Sequence, residues 1–215
     1  MIIAIDGPAG AGKSTVATLI AGALGLRFLD TGAMYRAVTL EVLRRGLDPA
    51  SEEDCGRVAR SVELAFDARG KITIDGVPGE PAIRSREVTT SVSAVSAHGA
   101  VRARVVERQR HLAASWGGLV AEGRDTTTVV FPEATHKFFL IASAHERARR
   151  RALEIGEPQR ADAIRAEIER RDELDTTRAH SPLRCPPDAI VVDTSGLDAR
   201  EVADVILGHV QAARR

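Results

Sequence analysis

The chain has 215 residues, enough for one domain or for a core with one sizeable insertion. Hydrophobic residues make up 44% and charged residues 28%, ordinary globular usage that argues against a disordered, collagen-like or coiled-coil chain. Lys+Arg is 30 and Asp+Glu is 30, and a formal net charge of zero disfavours nucleic-acid binding by bulk electrostatics.

In chain order, Ile2 to Asp6 is a short apolar run that stops at a glycine turn, and Ser14 to Leu24 has helical periodicity. Arg27-Phe28-Leu29 is a second short strand ended by Asp30, Met34 to Arg45 a helix, and Ser51-Glu52-Glu53-Asp54 resembles a capping box opening another. The period then changes. Residues 62–67 and 71–75 alternate apolar and polar about Ala68-Arg69-Gly70, a hairpin signal, and Gly76, Pro78, Gly79 and Pro81 read as loop markers. An antiparallel insertion over about 60–90 is expected. Glu87 to Leu112 reads as two helices broken near Gly99. Strands follow at 119–121, 137–141 and 189–193, with helices at 144–154, 161–172 and 198–213. Five short apolar strands separated by helices predict an α/β fold with a buried parallel sheet.

Gly7-Pro8-Ala9-Gly10-Ala11-Gly12-Lys13-Ser14 fits G-x-x-x-x-G-K-[ST], and it stands where such a loop must stand, after a strand and before a helix. Glycines let successive N–H groups face phosphate oxygens, and the helix N-terminus adds positive potential. Lys13 is placed for the outer phosphates and the Ser14 hydroxyl for Mg²⁺. The loop alone reads as nucleoside triphosphate binding and does not separate a GTPase, an ATPase motor and a small kinase. No N-K-x-D signature for guanine is present. A kinase that phosphorylates a phosphate needs arginines from several segments, and no base, since a phosphate monoester with a second pKa of about 6 is already mostly a dianion. Arginines stand in Asp30-Thr31-Gly32-Ala33-Met34-Tyr35-Arg36, in Gly123-Arg124-Asp125 and in Arg171-Asp172-Glu173-Leu174-Asp175-Thr176-Thr177-Arg178.

The stretches IDGPAGAGKST, DTGAMYRA, AIRSREV with Ser93, EGRDTTTVVFP and RDELDTTR, in this order, resemble bacterial cytidylate kinases of the nucleoside monophosphate kinase group. The resemblance implies a P-loop three-layer fold with a five-stranded parallel sheet, an antiparallel piece in the monophosphate-binding region and a short helical lid. It implies a P-loop core at 1–31, 111–146 and 162–215, a CMP-binding domain at 32–110 and a lid at 147–161. It implies transfer of a phosphoryl group from ATP, with Mg²⁺, to CMP or dCMP. Carried over position by position, Gly7 through Ser14, Thr15, Arg147, Arg150 and Arg151 belong to ATP, with Ser14 on the metal. Arg36, Arg124 and Arg178 belong to the acceptor phosphate and, with Lys13, to catalysis. Ser93, Arg102 and Asp125 belong to the cytosine, and Thr31, Arg171 and Asp175 to the sugar.

The pattern is broken at Thr127, where the family reads glycine. A β-branched residue tolerates positive φ poorly, so a displaced loop is expected if the position requires one. Glu122, where Asp is common, is a milder change. The run His145 to Arg151 reads as a solvated face, a lid or a nucleic-acid patch, and the resemblance favours the lid. Arg84 reads equally as a clamp and as a surface residue, while His98, His111 and His180 read as surface. Cys55 and Cys185 show no CxxC or metal spacing, as expected of a reduced intracellular protein. No apolar run reaches the length of about 20 residues that spans a bilayer. A cytoplasmic protein without nucleic-acid or membrane partners is therefore expected, and the resemblance implies a monomer. The rival readings are a kinase for another monophosphate, UMP or AMP, and a nucleotide-switch ATPase.

Overall fold

The computed structural model describes residues 1–213. The chain divides into two compact units, 1–28 with 117–215, and 29–116.

The first unit is built on β1 (Ile2–Asp6), α1 (Lys13–Leu24), β6 (Leu119–Glu122), β7 (His136–Ile141), α6 (Ala144–Glu154), α7 (Ala161–Thr177), β8 (Ile190–Asp193) and α8 (Ala199–Ala212). With β2 (Arg27–Asp30), the strands form a five-stranded sheet in the order β2-β6-β1-β7-β8. The registers of β1 with β6 and β7, and of β7 with β8, are all parallel. Strand β1 therefore lies at the centre, its chain continuing to one side and returning on the other. That is the switch point at which open α/β sheets bind ligands, at the carboxyl ends of the strands. The apolar run of β1 is what this position demands, since Ile3, Ala4 and Ile5 have no exposed surface. Ile3 and Ile5 pack with Val16, Ile20, Val120, Phe138, Leu140 and Ile206 in one core. A smaller cluster joins Ala9 to Ala148, Ala152, Ile164 and Ile168. Strand β8 is an edge, and three of its four residues are exposed rather than buried as expected for an apolar strand.

The second unit holds α2 (Thr31–Arg44), α3 (Glu52–Ser61), α4 (Arg86–Ala97) and α5 (Gly99–Trp116). It also holds a separate antiparallel sheet of β3 (Leu64–Phe66), β4 (Ile72–Ile74) and β5 (Val77–Pro78). The hairpin expected near 62–75 is present, but Val77 and Pro78, read as loop, add a third strand through Ile74 and Thr73. Helix α2 begins three residues before the expected Met34, because Asp30 caps it by accepting the Ala33 N–H at 2.8 Å. Helix α3 has half of its expected capping box: Ser51 accepts the Asp54 N–H at 3.3 Å. His98, read as surface, is tied by Nε2 to the Pro49 carbonyl at 2.8 Å. Trp116 packs edge-on to Phe66, with centroids 6.0 Å apart. Among the described residues no helix is long and apolar enough to cross a membrane.

Candidate active site

The phosphate loop leaves the carboxyl end of β1 through backbone that only glycine adopts easily. Gly7, Gly10 and Gly12 have φ of +149°, +77° and +84°. A Cβ on Gly7 would lie 2.2 Å from the Leu140 carbonyl oxygen, and one on Gly10 would meet Arg147 at 3.1 Å. The loop is thus pressed against β7 and α6. Lys13, the first residue of α1, is buried, and its Nζ donates to the Pro8 carbonyl at 2.8 Å. Burial lowers the Lys13 pKa to about 7, and the charges of Arg124 and Arg171 push it the same way against Glu122 and Asp6. Ser14 and Thr15 are exposed. The Ser14 hydroxyl donates to Glu122 Oε1 at 2.7 Å, so the residue read as a mild departure instead holds the serine expected on the metal.

Three further residues expected on ATP lie on α6. Arg147 is buried and donates to Ala142 O at 3.0 Å, to Ala9 O at 2.8 Å and to the Asp172 carboxylate. The other Asp172 oxygen accepts the Ala9 N–H at 2.9 Å. Asp172, assigned no role from sequence, thus joins α7, α6 and the loop; its place inside RDELDTTR was the available signal. Arg150 is held by Glu146 and by Thr194 O and Oγ1, and its Nη1 lies 4.0 Å from where a Gly12 Cβ would be. Arg151 pairs with Glu154 at 2.8 Å, with both side chains well exposed.

A second cluster surrounds Asp175 near the end of α7. Arg124 Nε donates to it at 2.8 Å, Arg178 Nη1 lies at 3.9 Å and Arg171 Nε at 4.0 Å. Arg178 also faces Asp125 at 3.6 Å and donates from Nε to Ser181 O at 2.7 Å. Burial works against the Asp175 carboxylate, but Arg124, Arg171 and Arg178 outweigh it and hold its pKa below the ordinary value. Arg171 is pushed down to about 10 by burial and by the like charge of Arg124. Three guanidiniums thus meet two carboxylates, an excess of positive charge in the unit that carries Lys13.

The remaining residues lie in the second unit. Thr31 is the first residue of α2 and is buried. Arg36 donates from Nη1 to Thr89 Oγ1 at 2.9 Å and to Ile83 O at 3.3 Å. Arg102 is buried, donates to Ser96 O at 3.1 Å and stacks over Tyr35 at 5.1 Å from the ring centroid. Ser93 is half-buried on α4, and its carbonyl accepts from Ser96. Arg84 is half exposed and paired with Glu80 at 2.9 Å and Asp30 at 3.2 Å.

The loop after Asp125 is not strained as expected. Residues Thr126–Val130 form a π-helical turn, and Thr127 is not among the positive-φ residues. Its position is set instead by two hydrogen bonds to Asp6, from its N–H at 2.7 Å and its hydroxyl at 2.6 Å.

The family model for Cytidylate kinase matches residues 3–212. A cytidylate kinase of Mycobacterium avium (strain 104) is 49% identical over 210 residues, 95% of this chain and 92% of that protein. One of Pelotomaculum thermopropionicum is 48% identical over 220 residues, covering 99% and 97%. One of Geobacter sulfurreducens is 43% identical over 221 residues, covering 100% and 94%. Among solved structures, an uncharacterized protein from Eubacterium ventriosum shares the fold, with a TM-score of 0.56 at 13% identity over 98% of each chain.

Proposed function

We propose a residue-by-residue account of catalysis from the premise that this chain belongs to the cytidylate kinase family. Its activity is ATP-dependent phosphorylation of CMP or dCMP, giving ADP and CDP or dCDP. The acceptor phosphate arrives as a dianion, so no side chain need remove a proton. Its oxygen forms the new bond to the γ-phosphorus as the bond to the ADP oxygen breaks. Two polyanions must approach each other, and the protein's task is to orient them and neutralise their charge.

Gly7 through Thr15 wrap the triphosphate of ATP, with Lys13 on its outer phosphates. Arg147 and Arg150, braced by Asp172 and Thr194, and Arg151 beside them complete the donor side, within a lid at 147–161. Arg124 and Arg178 hold the acceptor phosphate, as does Arg36. Asp175 and Arg171 contact the sugar together with Thr31. Asp125, Ser93 and Arg102 read the cytosine, since a carboxylate or hydroxyl accepts from its amino group and a guanidinium donates to its carbonyl and ring nitrogen. Residues 32–110 form the CMP-binding domain. The hydroxyl of Ser14 and the carboxylate of Glu122 are the oxygen ligands that suit Mg²⁺. That ion, when bound, supplies charge neutralisation on the donor phosphates. The two free thiols suit the cytosol, where the protein acts as a monomer on nucleotides and on neither nucleic acid nor membrane.

What carries the reading is the Arg124–Arg171–Arg178 cluster on Asp175, whose positive charge reaches Lys13 in the phosphate loop. The test is initial rates with CMP, dCMP, UMP and AMP at saturating ATP, for the wild type and Arg36→Ala. CMP and dCMP should be preferred, and Arg36→Ala should collapse turnover. Equal use of AMP would remove the base-reading roles, and near-normal Arg36→Ala activity would remove the clamp assignment.

A further inference from the structure

Asp6 has no exposed surface and is the last residue of β1, directly before Gly7 of the phosphate loop. A carboxylate in such a place must find a full set of donors or give up its charge. It finds four, two on each oxygen, and all come from two consecutive residues. Oδ1 accepts the Thr126 N–H at 3.0 Å and the Thr126 hydroxyl at 2.7 Å. Oδ2 accepts the Thr127 N–H at 2.7 Å and the Thr127 hydroxyl at 2.6 Å. Burial raises the Asp6 pKa, and these four bonds oppose the rise. Both threonines are themselves fully buried.

The threonines open the π-helical turn that follows Arg124 and Asp125. We propose that Thr126 and Thr127 are positioning residues for phosphoryl transfer, whose hydroxyls bracket Asp6 and fix the loop carrying Arg124 to the root of the phosphate loop. The donor cradle and an arginine of the acceptor side are then one rigid piece, and their spacing is set by four short bonds. This inference rests on the role given to Arg124.

Thr126→Val/Thr127→Val keeps shape and both N–H groups while deleting both hydroxyls, and Thr126→Ser/Thr127→Ser keeps the hydroxyls. The valine pair should lower kcat with CMP between about ten- and a hundredfold, the scale of a small misplacement of reacting groups. The KM for ATP should stay within about threefold, because the loop amides that bind the triphosphate are untouched. The serine pair should restore kcat to within about threefold of the wild type. Amides of residues 126–130 should exchange faster in the valine pair. Wild-type kcat in the valine pair, or a loss that serine does not restore, overturns the proposal. If the valine pair does not fold, each single valine variant is compared with its serine counterpart, and an undiminished kcat in both overturns it equally. Arg124→Ala measured alongside separates the two ideas. Normal turnover there removes the role of Arg124, whereas unchanged exchange at 126–130 in the valine pair removes the bracket itself.

Discussion

Arg124→Ala separates the catalytic from the structural work of the arginine cluster. Arg124 and Asp175 meet at 2.8 Å with side chains 17% and 6% exposed, so this is a buried pair and not a screened surface one. Removing one partner of a buried pair costs about 3–5 kcal/mol when the other charge is stranded. Asp175 is not stranded, because Arg178 and Arg171 remain at 3.9 Å and 4.0 Å. The loss of stability should then fall to that of one charged hydrogen bond, about 1.5–3 kcal/mol. At about 2–4 °C per kcal/mol for a chain of this size, the melting temperature should drop by about 3–12 °C. On the catalytic side, the same deletion takes one charged hydrogen bond from the acceptor phosphate. At about 1.4 kcal/mol per factor of ten, kcat/KM for CMP should fall roughly 10- to 150-fold. The KM for ATP should change less. A coupled assay for ADP, run well below the melting temperature, reads the kinetic part, and circular dichroism reads the melt. A variant that melts lower yet keeps wild-type kcat/KM for CMP would refute the acceptor role and leave Arg124 a structural residue.

Lys13 should be costly to the fold without nucleotide. Its pKa in the folded protein is about 7 against an ordinary 10.5, so between those values the folded chain binds fewer protons than the unfolded one. Its contribution to stability must rise as pH rises through that window. Lys13→Met should therefore show no phosphoryl transfer, melt no lower than the wild type at pH 7, and lose that rise in melting temperature between pH 7 and 10. Gly7→Ala should destabilise by about 1–3 kcal/mol or more, because its Cβ would overlap the Leu140 carbonyl at 2.2 Å; urea unfolding measures it.

Much of the fold is legible in the sequence where the chemistry is local. The apolar runs of β1, β6 and β7 and the glycines of the phosphate loop each carry their own signal, and Gly99 marks the break between α4 and α5. Elements fixed by distant partners are less legible. Thr31 and Gly32 look like loop until Asp30 is seen to cap them into α2. Helix α7 runs five residues past Asp172, through Thr176 and Thr177, whose hydroxyls turn back onto the Asp172 and Glu173 carbonyls. Val77 and Pro78 become a strand only because β4 offers them an edge. In the site, the motif residues were visible as motifs. The carboxylates that brace them stand in the same stretches, but their partners were not visible: Glu122 on Ser14, Asp172 on Ala9 and Arg147, and Asp6 on the threonines. A carboxylate between two partners far apart in sequence leaves no periodicity to read. Thr127 shows the same limit, since its side chain looks like strain until its acceptor is known.

The most direct measurement is a single turnover with γ-labelled ATP, followed with and without CMP. Label should pass to CDP in one step, with no appreciable release of inorganic phosphate when CMP is left out. Steady hydrolysis of ATP in the absence of any acceptor, or label that never reaches the cytidine nucleotide, would contradict direct transfer.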